Sequence, residues 1–152
     1  MIGKIIIVAA VLIVGIAAAA LVFFMPQPDG MNATNVPDVK FVSFDADRRD
    51  ITVGETANII YNVQNFESRA IADARVTISI ESPGYDQFLS IQNQTTVLTS
   101  LPAKDAATGE TTVPITATGS PAKEAVYVVK GILLVEGVQS DVRELELKIH
   151  QQ

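Results

Sequence analysis

Residues 5–25 read IIIVAAVLIVGIAAAALVFFM and contain no charged or polar side chain. About 20 apolar residues in a helix, each rising about 1.5 Å, match the roughly 30 Å hydrocarbon core of a bilayer. A segment in lipid can satisfy its backbone polar groups by forming a helix, and Pro26 and Pro28 would end that helix. The sequence therefore predicts one transmembrane helix over residues 1–26, with membrane lipid around it.

A cleaved signal peptide is the alternative for this segment, because Ala17-Ala18-Ala19 resembles a cleavage site. The apolar sequence continues through residues 21–25, however, beyond the roughly 7–15 residues of a signal core. Length therefore favours a retained anchor. Gly15 and Ala19 form a small-residue pair that predicts a helix–helix contact, unless these residues only reflect the usual abundance of Ala and Gly in membrane helices.

Lys4 lies on the short side of the apolar segment and a long acidic region lies on the other side. The positive-inside tendency then predicts a single-pass protein of the cell membrane, with a cytoplasmic N-terminus and an extracytoplasmic C-terminal domain. Residues 27–37 (QPDGMNATNVP) are polar and rich in turn-forming residues, so they are expected to form a linker.

Residues 38–150 alternate between apolar and polar side chains, which is typical of strands with one buried face. No helical period follows residue 25, and turn signals separate seven or eight short apolar segments. The prediction is a mainly β domain, an Ig-like antiparallel β-sandwich of seven to eight strands. The clearest inward-facing sets are Ala57, Ile59, Tyr61 and Val63, then Ala74, Val76, Ile78 and Ile80, then Val113, Ile115 and Ala117.

Four details of the strands are predicted from single residues. Val39, Phe41 and Ser43 should face opposite to Val42 and Phe44. Pro114 should mark an edge strand, because proline cannot donate a ladder hydrogen bond. Gly131 is expected at a bulge and Gly137 in the last hairpin turn.

Three segments, at residues 51–57 (ITVGETA), 60–65 (IYNVQN) and 74–78 (ARVTI), together resemble adhesion-type Ig-like domains of the CARDB family. Residues 109–113 (GETTV) continue this resemblance, which covers residues 50–147. The family implies the sandwich fold and is frequent on archaeal surfaces. The layout of anchor plus sandwich also resembles archaellum stator proteins, which would imply contact with an S-layer or a filament.

Catalytic chemistry finds little support in the residue types. The chain has no cysteine, and its one histidine, His150, lies next to the C-terminal end. A catalytic triad or a copper site needs more such residues, so we expect no enzyme activity, no metal and no cofactor. Asp45-Ala46-Asp47 could begin a calcium loop, but the neighbouring Arg48 and Arg49 favour a solvated loop with ion pairs. A net charge of -6 argues against nucleic acid as a partner.

Asn32 and Asn93 each begin an N-x-T sequon, at Asn32-Ala33-Thr34 and Asn93-Gln94-Thr95. Both sequons fall in predicted loops or strand starts of an exported protein, so they are candidate glycosylation sites.

The segment from Ala125 to Val135 is apolar on both faces. One interpretation is a central strand whose outer face is covered by the chain itself. The other is a partner surface, because exposed apolar patches usually mark contacts. The partner face is predicted to comprise Val126, Val128, Ile132 and Val135.

The resulting functional hypothesis is a non-catalytic structural protein that scaffolds a cell-surface or membrane assembly. Its protein partners would be an S-layer, a filament or neighbouring subunits, and it could form a homo-oligomer. Two alternatives stay open: a pilin-like filament subunit whose N-terminal helix packs in a fibre core, and an accessory subunit of a membrane enzyme complex.

Overall fold

The computed structural model describes residues 36–82, 84–104 and 108–152. These belong to one compact unit, Val36–Gln152. The predicted transmembrane helix, the small-residue pair Gly15 and Ala19, and the first sequon at Asn32 all lie outside the described residues. Within the described ranges, no helix has the length and apolar character needed to cross a bilayer.

The described residues form a mainly β structure, which confirms the mainly β prediction for this part of the chain, but they contain nine strands where seven to eight were predicted. A single short 3-10 helix occurs in these residues, at Tyr85–Gln87. The strands are β1 Val39–Ala46, β2 Asp50–Thr52, β3 Thr56–Asn65, β4 Ala74–Ile80, β5 Leu89–Ile91, β6 Thr95–Leu98, β7 Thr111–Ala117, β8 Glu124–Val135 and β9 Val138–His150.

The strands form two sheets. One sheet has the order β1-β3-β7-β5 and the other has the order β2-β9-β8-β4-β6. Only the pairing of β2 with β9 is parallel among the described strands. Each sheet turns one apolar face inward, and the two faces together form one hydrophobic core.

The alternation predicted for the inner strands is confirmed. In β3, the side chains of Ala57, Ile59, Tyr61 and Val63 are fully buried. In β4 and β7, the predicted inward residues are all at most 5% exposed: Ala74, Val76, Ile78, Ile80, Val113, Ile115 and Ala117. Period-two patterning identified these faces because each strand has one neighbouring sheet to pack against.

The prediction for β1 holds only over its first half. The register with β3 shifts between Phe41 and Ser43, so Val42 becomes 47% exposed and Phe44 packs against the core. A bulge of one residue reverses the faces of every residue that follows it.

The bulge predicted at Gly131 is wrong. The register of β8 with β9 shifts between Leu133 and Leu134, opposite the extra residue Ser140. The hairpin turn at Gly137 is confirmed: Glu136 and Gly137 both have positive φ, 51° and 80°. Two successive positive φ values are typical of the two-residue turn whose twist matches a hairpin.

The edge position predicted from Pro114 is also wrong, because β7 lies between β3 and β5. The carbonyl oxygen of Pro114 accepts the Gln92 N–H at 3.1 Å, so the backbone of Pro114 faces the β5 side. Strand β5 ends at Ile91. The missing N–H of the proline therefore falls just past the end of its neighbour, where it costs no ladder hydrogen bond.

Candidate interaction surface

An aliphatic stripe runs along the outward face of the five-stranded sheet, on its central strand β8. Side chains in β8 alternate strictly from Tyr127 onward, with odd-numbered residues buried and even-numbered residues half-buried. The outward aliphatic residues, here called the β8 stripe, are Val126, Val128, Ile132 and Leu134. Val126 is the most accessible of them, with 48% of its surface exposed.

Val135 does not belong to this face, which corrects the predicted set. Its side chain is fully buried in the core, and the neighbouring Leu134 takes the outward position. The predicted set switched from even-numbered to odd-numbered residues between Ile132 and Val135. The strand instead keeps its alternation to its last residue, so only even-numbered residues face outward. Val126, Val128 and Ile132 do share the outward face, and their role in partner binding stays a prediction.

One more apolar side chain borders the β8 stripe and another lies two strands away on the same sheet, and the sequence alone did not identify either as part of this surface. Val142 of β9 lies directly opposite Ile132. Val97 of β6 is 56% exposed and lies one strand beyond Arg75, which itself lies opposite Leu134. Other outward positions of the sheet carry polar side chains such as Thr77, Ser79, Glu144, Glu146 and Lys148.

Lys130 divides the β8 stripe into two halves. Its Nζ donates to Glu81 and to Glu144, the latter at 3.1 Å. Hydrogen bonds to Glu81 and Glu144 raise the pKa of Lys130 above its ordinary value. Two carboxylates thus hold the amine to the sheet, between the half-buried side chains of Val128 and Ile132.

His150 ends β9 beside two carboxylates. Its Nε2 lies 2.7 Å from Asp50 Oδ1, and its Nδ1 lies 3.8 Å from Glu124 Oε2. The arrangement pairs the imidazole ring with two carboxylates at the surface of the sheet.

The two aspartates of the candidate calcium loop are occupied by protein donors. Asp45 accepts from Arg49 and from its neighbour's backbone N–H, and these bonds lower the pKa of Asp45. Asp47 accepts the N–H and the Nδ2 of Asn58 at 2.8 and 2.7 Å, and this lowers the pKa of Asp47. Among the described residues, no cluster of three or more His, Cys, Asp or Glu residues could hold a metal ion.

Asn93 lies in the exposed turn between β5 and β6, with φ of 53°. Thr95, which completes its sequon, is exposed at the start of β6. The side-chain amide of Asn93 is therefore open to a transferase, and its glycosylation stays a prediction.

Comparison with known proteins identifies the fold and no family. No protein-family model matches the chain, and no curated protein matches it. Among solved structures, it is similar to the solution structure of the CARDB domain of PF1109 from Pyrococcus furiosus, with a TM-score of 0.53 and 15% identity. That match covers 75% of this chain and 95% of the CARDB domain.

A crystal structure of the same domain in complex with di-metal ions gives a TM-score of 0.50 at 14% identity, covering 77% of this chain and 96% of that one. AvmM, described as catalysing macrocyclization in alchivemycin A biosynthesis, gives a TM-score of 0.51 at 9% identity, covering 76% and 90%. At these identities the likeness concerns the fold alone. The predicted CARDB-like sandwich is confirmed, and the resemblance to archaellum stator proteins stays a prediction.

Proposed function

We propose that this chain is a non-catalytic interaction protein of the cell membrane. A transmembrane helix over residues 1–26 holds the β-sandwich outside the cytoplasm, and the β8 stripe binds a protein partner in a surface or membrane assembly. The observation that carries the proposal is the β8 stripe: four aliphatic side chains on the central strand of a sheet whose other outward positions are mostly polar. Aliphatic side chains that face outward among polar neighbours favour a contact surface.

The tether is argued from residues 5–25, which lack any charged or polar side chain. Alkaline carbonate extraction of native membranes tests it: the 152-residue chain should stay in the membrane pellet. Protease added to intact cells should then degrade the sandwich and leave the N-terminal segment protected. Release of the intact chain by carbonate would overturn the tether, and protection of the sandwich would overturn the orientation.

The partner surface is tested by two matched charge substitutions. Val126 and Val42 are equally accessible valines, 48% and 47% exposed, but they lie on opposite sheets. Val126→Glu places a charge on the β8 stripe, so it should shift the native assembly to smaller size on a sucrose gradient. Val42→Glu should leave the assembly unchanged.

Val128→Glu extends the test to the middle of the β8 stripe, where the side chain is half-buried. The folded state of each variant is checked by its thermal unfolding midpoint. Loss of assembly with an unchanged midpoint supports the partner surface. An equal effect of Val126→Glu and Val42→Glu on assembly would overturn it.

The filament alternative makes a different prediction for the same preparation. A pilin-like subunit should be recovered in sheared fibres without detergent. A bilayer-anchored protein should instead need detergent and appear as monomers or defined complexes.

A further inference from the structure

The β-sandwich has four edge strands, β1, β2, β5 and β6, and they differ in how their free backbone groups are satisfied. An unpaired strand edge is a ready template for another strand, so proteins usually block it. Comparing the four edges therefore shows where a further strand could add.

Side chains of β9 cover the edge of β1. Ser140 Oγ lies 2.6 Å from the carbonyl oxygens of both Pro37 and Val39, which share its one hydroxyl hydrogen. Asp141 Oδ2 accepts the N–H of Phe41 at 3.0 Å. These bonds occupy outward backbone groups in the first half of β1, and the bulge between Phe41 and Ser43 interrupts the edge beyond them.

The edge of β2 is also closed. Glu55 Oε2 accepts the N–H of Thr52 at 2.7 Å, and the Glu55 N–H donates to the Thr52 carbonyl oxygen at 2.9 Å. Strand β5 has only three residues, Leu89–Ile91, so it offers little length for pairing.

The edge of β6 is open. The N–H of Ile78 donates to the carbonyl oxygen of Gln94, and pairing with β4 continues through Leu98. Because direction alternates along a strand, Thr95 and Val97 point their backbone groups away from β4. In the described ranges, no hydrogen bond reaches the N–H of either residue.

The side chains of β6 also permit pairing. Its sequence, Thr95-Thr96-Val97-Leu98, has no charge and no proline, the two devices that commonly block an edge. Thr95 and Val97 are exposed, and Val97 is 56% accessible. A strand laid beside β6 would cover Val97 and extend the five-stranded sheet.

We propose that β6 pairs antiparallel with β6 of a second copy of this chain. A twofold axis at Thr96 places Thr95 opposite Val97 of the other copy, and each such pair exchanges two N–H···O bonds. The strand is thus complementary to itself, and no like charges meet across the axis. The contact is small, so it rests on the proposed tether, which concentrates copies in one membrane.

Because the chain has no cysteine, a single introduced cysteine can form a disulfide only with the same cysteine of another copy. Thr96 residues facing each other at a non-hydrogen-bonded position would have Cα atoms about 4.5 Å apart, within the range of a disulfide. Thr96→Cys in the 152-residue chain, reconstituted in phosphatidylcholine vesicles and oxidised with copper-phenanthroline, should give mostly covalent dimer. Val42→Cys, on the closed edge of β1, should give less than a tenth as much.

A second substitution tests the backbone geometry. In the Thr96→Cys background, Val97→Pro removes an N–H that faces away from β4, so the domain stays folded while cross-linking falls to the Val42→Cys level. Val97→Thr keeps that N–H and should cross-link fully. Should Val97→Pro lower the unfolding midpoint, Val97→Lys replaces it, because an edge lysine blocks pairing without touching the backbone.

Flotation of the same vesicles separates this inference from the proposed function. A chain that floats but cross-links no more than Val42→Cys overturns the β6 pairing and leaves the tether standing. A chain that does not float but cross-links at high concentration, with the Val97→Pro effect intact, supports the pairing and overturns the tether.

Discussion

Gly131 of β8 lies directly against the aromatic ring of Phe44 of β1. A Cβ built on this glycine would overlap Phe44 Cε2 and lie 2.9 Å from Cζ. The ring of Phe44 in turn packs against the ring of Phe41, with centroids 5.5 Å apart. The two sheets therefore approach each other here because one residue has no side chain.

Gly131→Ala should destabilise the fold by about 1–3 kcal/mol, the usual cost of overpacking a core. The added methyl group forces the Phe44 ring away from the position it shares with Phe41. Urea unfolding of residues 36–152, followed by circular dichroism, measures the change in the free energy of unfolding.

A double-mutant cycle supplies the control for this prediction. Phe44→Leu removes the ring, so Gly131→Ala should cost clearly less in that background than in the wild type. An equal cost in both backgrounds would mean that the glycine matters for another reason, such as backbone freedom.

This contact also explains why the sequence predicted β1 only in part. Alternation identified Val39 and Phe41 as inward residues, because both precede the bulge. The reversal that brings Phe44 inward depends on a space above Gly131, a residue 87 positions later in the chain (131 − 44). The alternation of neighbouring residues in β1 carries no information about a space beside a residue so much later in the sequence.

Asn65 is the only polar residue among the described residues that is buried in the core region, with 3% exposed. Its Nδ2 donates to the carbonyl oxygens of Arg69, Leu101 and Pro102 at 2.8–3.1 Å, and its Oδ1 accepts the Glu67 N–H. Asn65→Ala should therefore cost about 1–3 kcal/mol, since it removes the acceptor of the Glu67 N–H and the donor to the partly buried carbonyl oxygens of Arg69 and Pro102. Urea unfolding measures this loss.

Asn65→Asp sharpens the same prediction through pH. A carboxylate would face three carbonyl oxygens, which should raise its pKa in the folded state above the unfolded value of about 3.9. The free energy of unfolding of this variant should therefore fall as the pH rises from the unfolded pKa of about 3.9 through the higher folded pKa. At pH 7 the variant should be less stable than Asn65→Ala. A variant whose stability does not change between about pH 4 and pH 7 would contradict the assignment.

The sequence predicted the interaction surface less completely than it predicted the core. Alternation on β8 was visible, but Lys130 meets Glu81 and Glu144 only because β4 and β9 flank β8. The same holds for Val97, whose place beside Arg75 follows from the pairing of β4 with β6. Strand order is a long-range property that no single segment encodes.

Asp141 should be important for holding β1 to β9. Its Oδ2 accepts the N–H of Phe41, and its side chain is only 18% exposed. Asp141→Ala should cost about 1–3 kcal/mol and expose the β1 edge. Hydrogen exchange at the Phe41 amide, measured by NMR, should speed up at least tenfold relative to the wild type.

Asp73 offers a matched control for this substitution. It is an exposed aspartate whose side chain pairs with Arg75 at the surface, at 3.3 Å. Asp73→Ala should leave the exchange rate of the Phe41 amide unchanged. Equal acceleration in both variants would show a general loss of stability and not a local opening of β1.

The sequon at Asn93 predicts a glycan that mass spectrometry can detect. If the host glycosylates the chain, tryptic peptides of native material should carry glycan at Asn93, because the side chain is exposed in a turn. Thr95→Ala should abolish the mass shift, whereas Thr96→Ala should keep it. Native peptides that carry no glycan at Asn93 would exclude the site.

The hydrogen bonds to Asp47, in the loop between β1 and β2, predict that the fold loses stability in acid. Hydrogen bonds from the backbone N–H and side chain of Asn58 lower the pKa of Asp47 from 3.8. The folded chain thus favours the ionised form, so this stabilisation is complete above 3.8 and is lost as pH falls through the lower folded value.

Asp47→Asn removes this titration. The difference in urea midpoint between wild type and Asp47→Asn should therefore be larger at pH 7 than at an acidic pH below the lowered pKa of folded Asp47, where both side chains are neutral. The carboxylate is largely exposed, so the difference should be small. Asp45 titrates in both proteins and cancels in the comparison. Equal differences at the two pH values would show that Asn58 does not stabilise the Asp47 carboxylate.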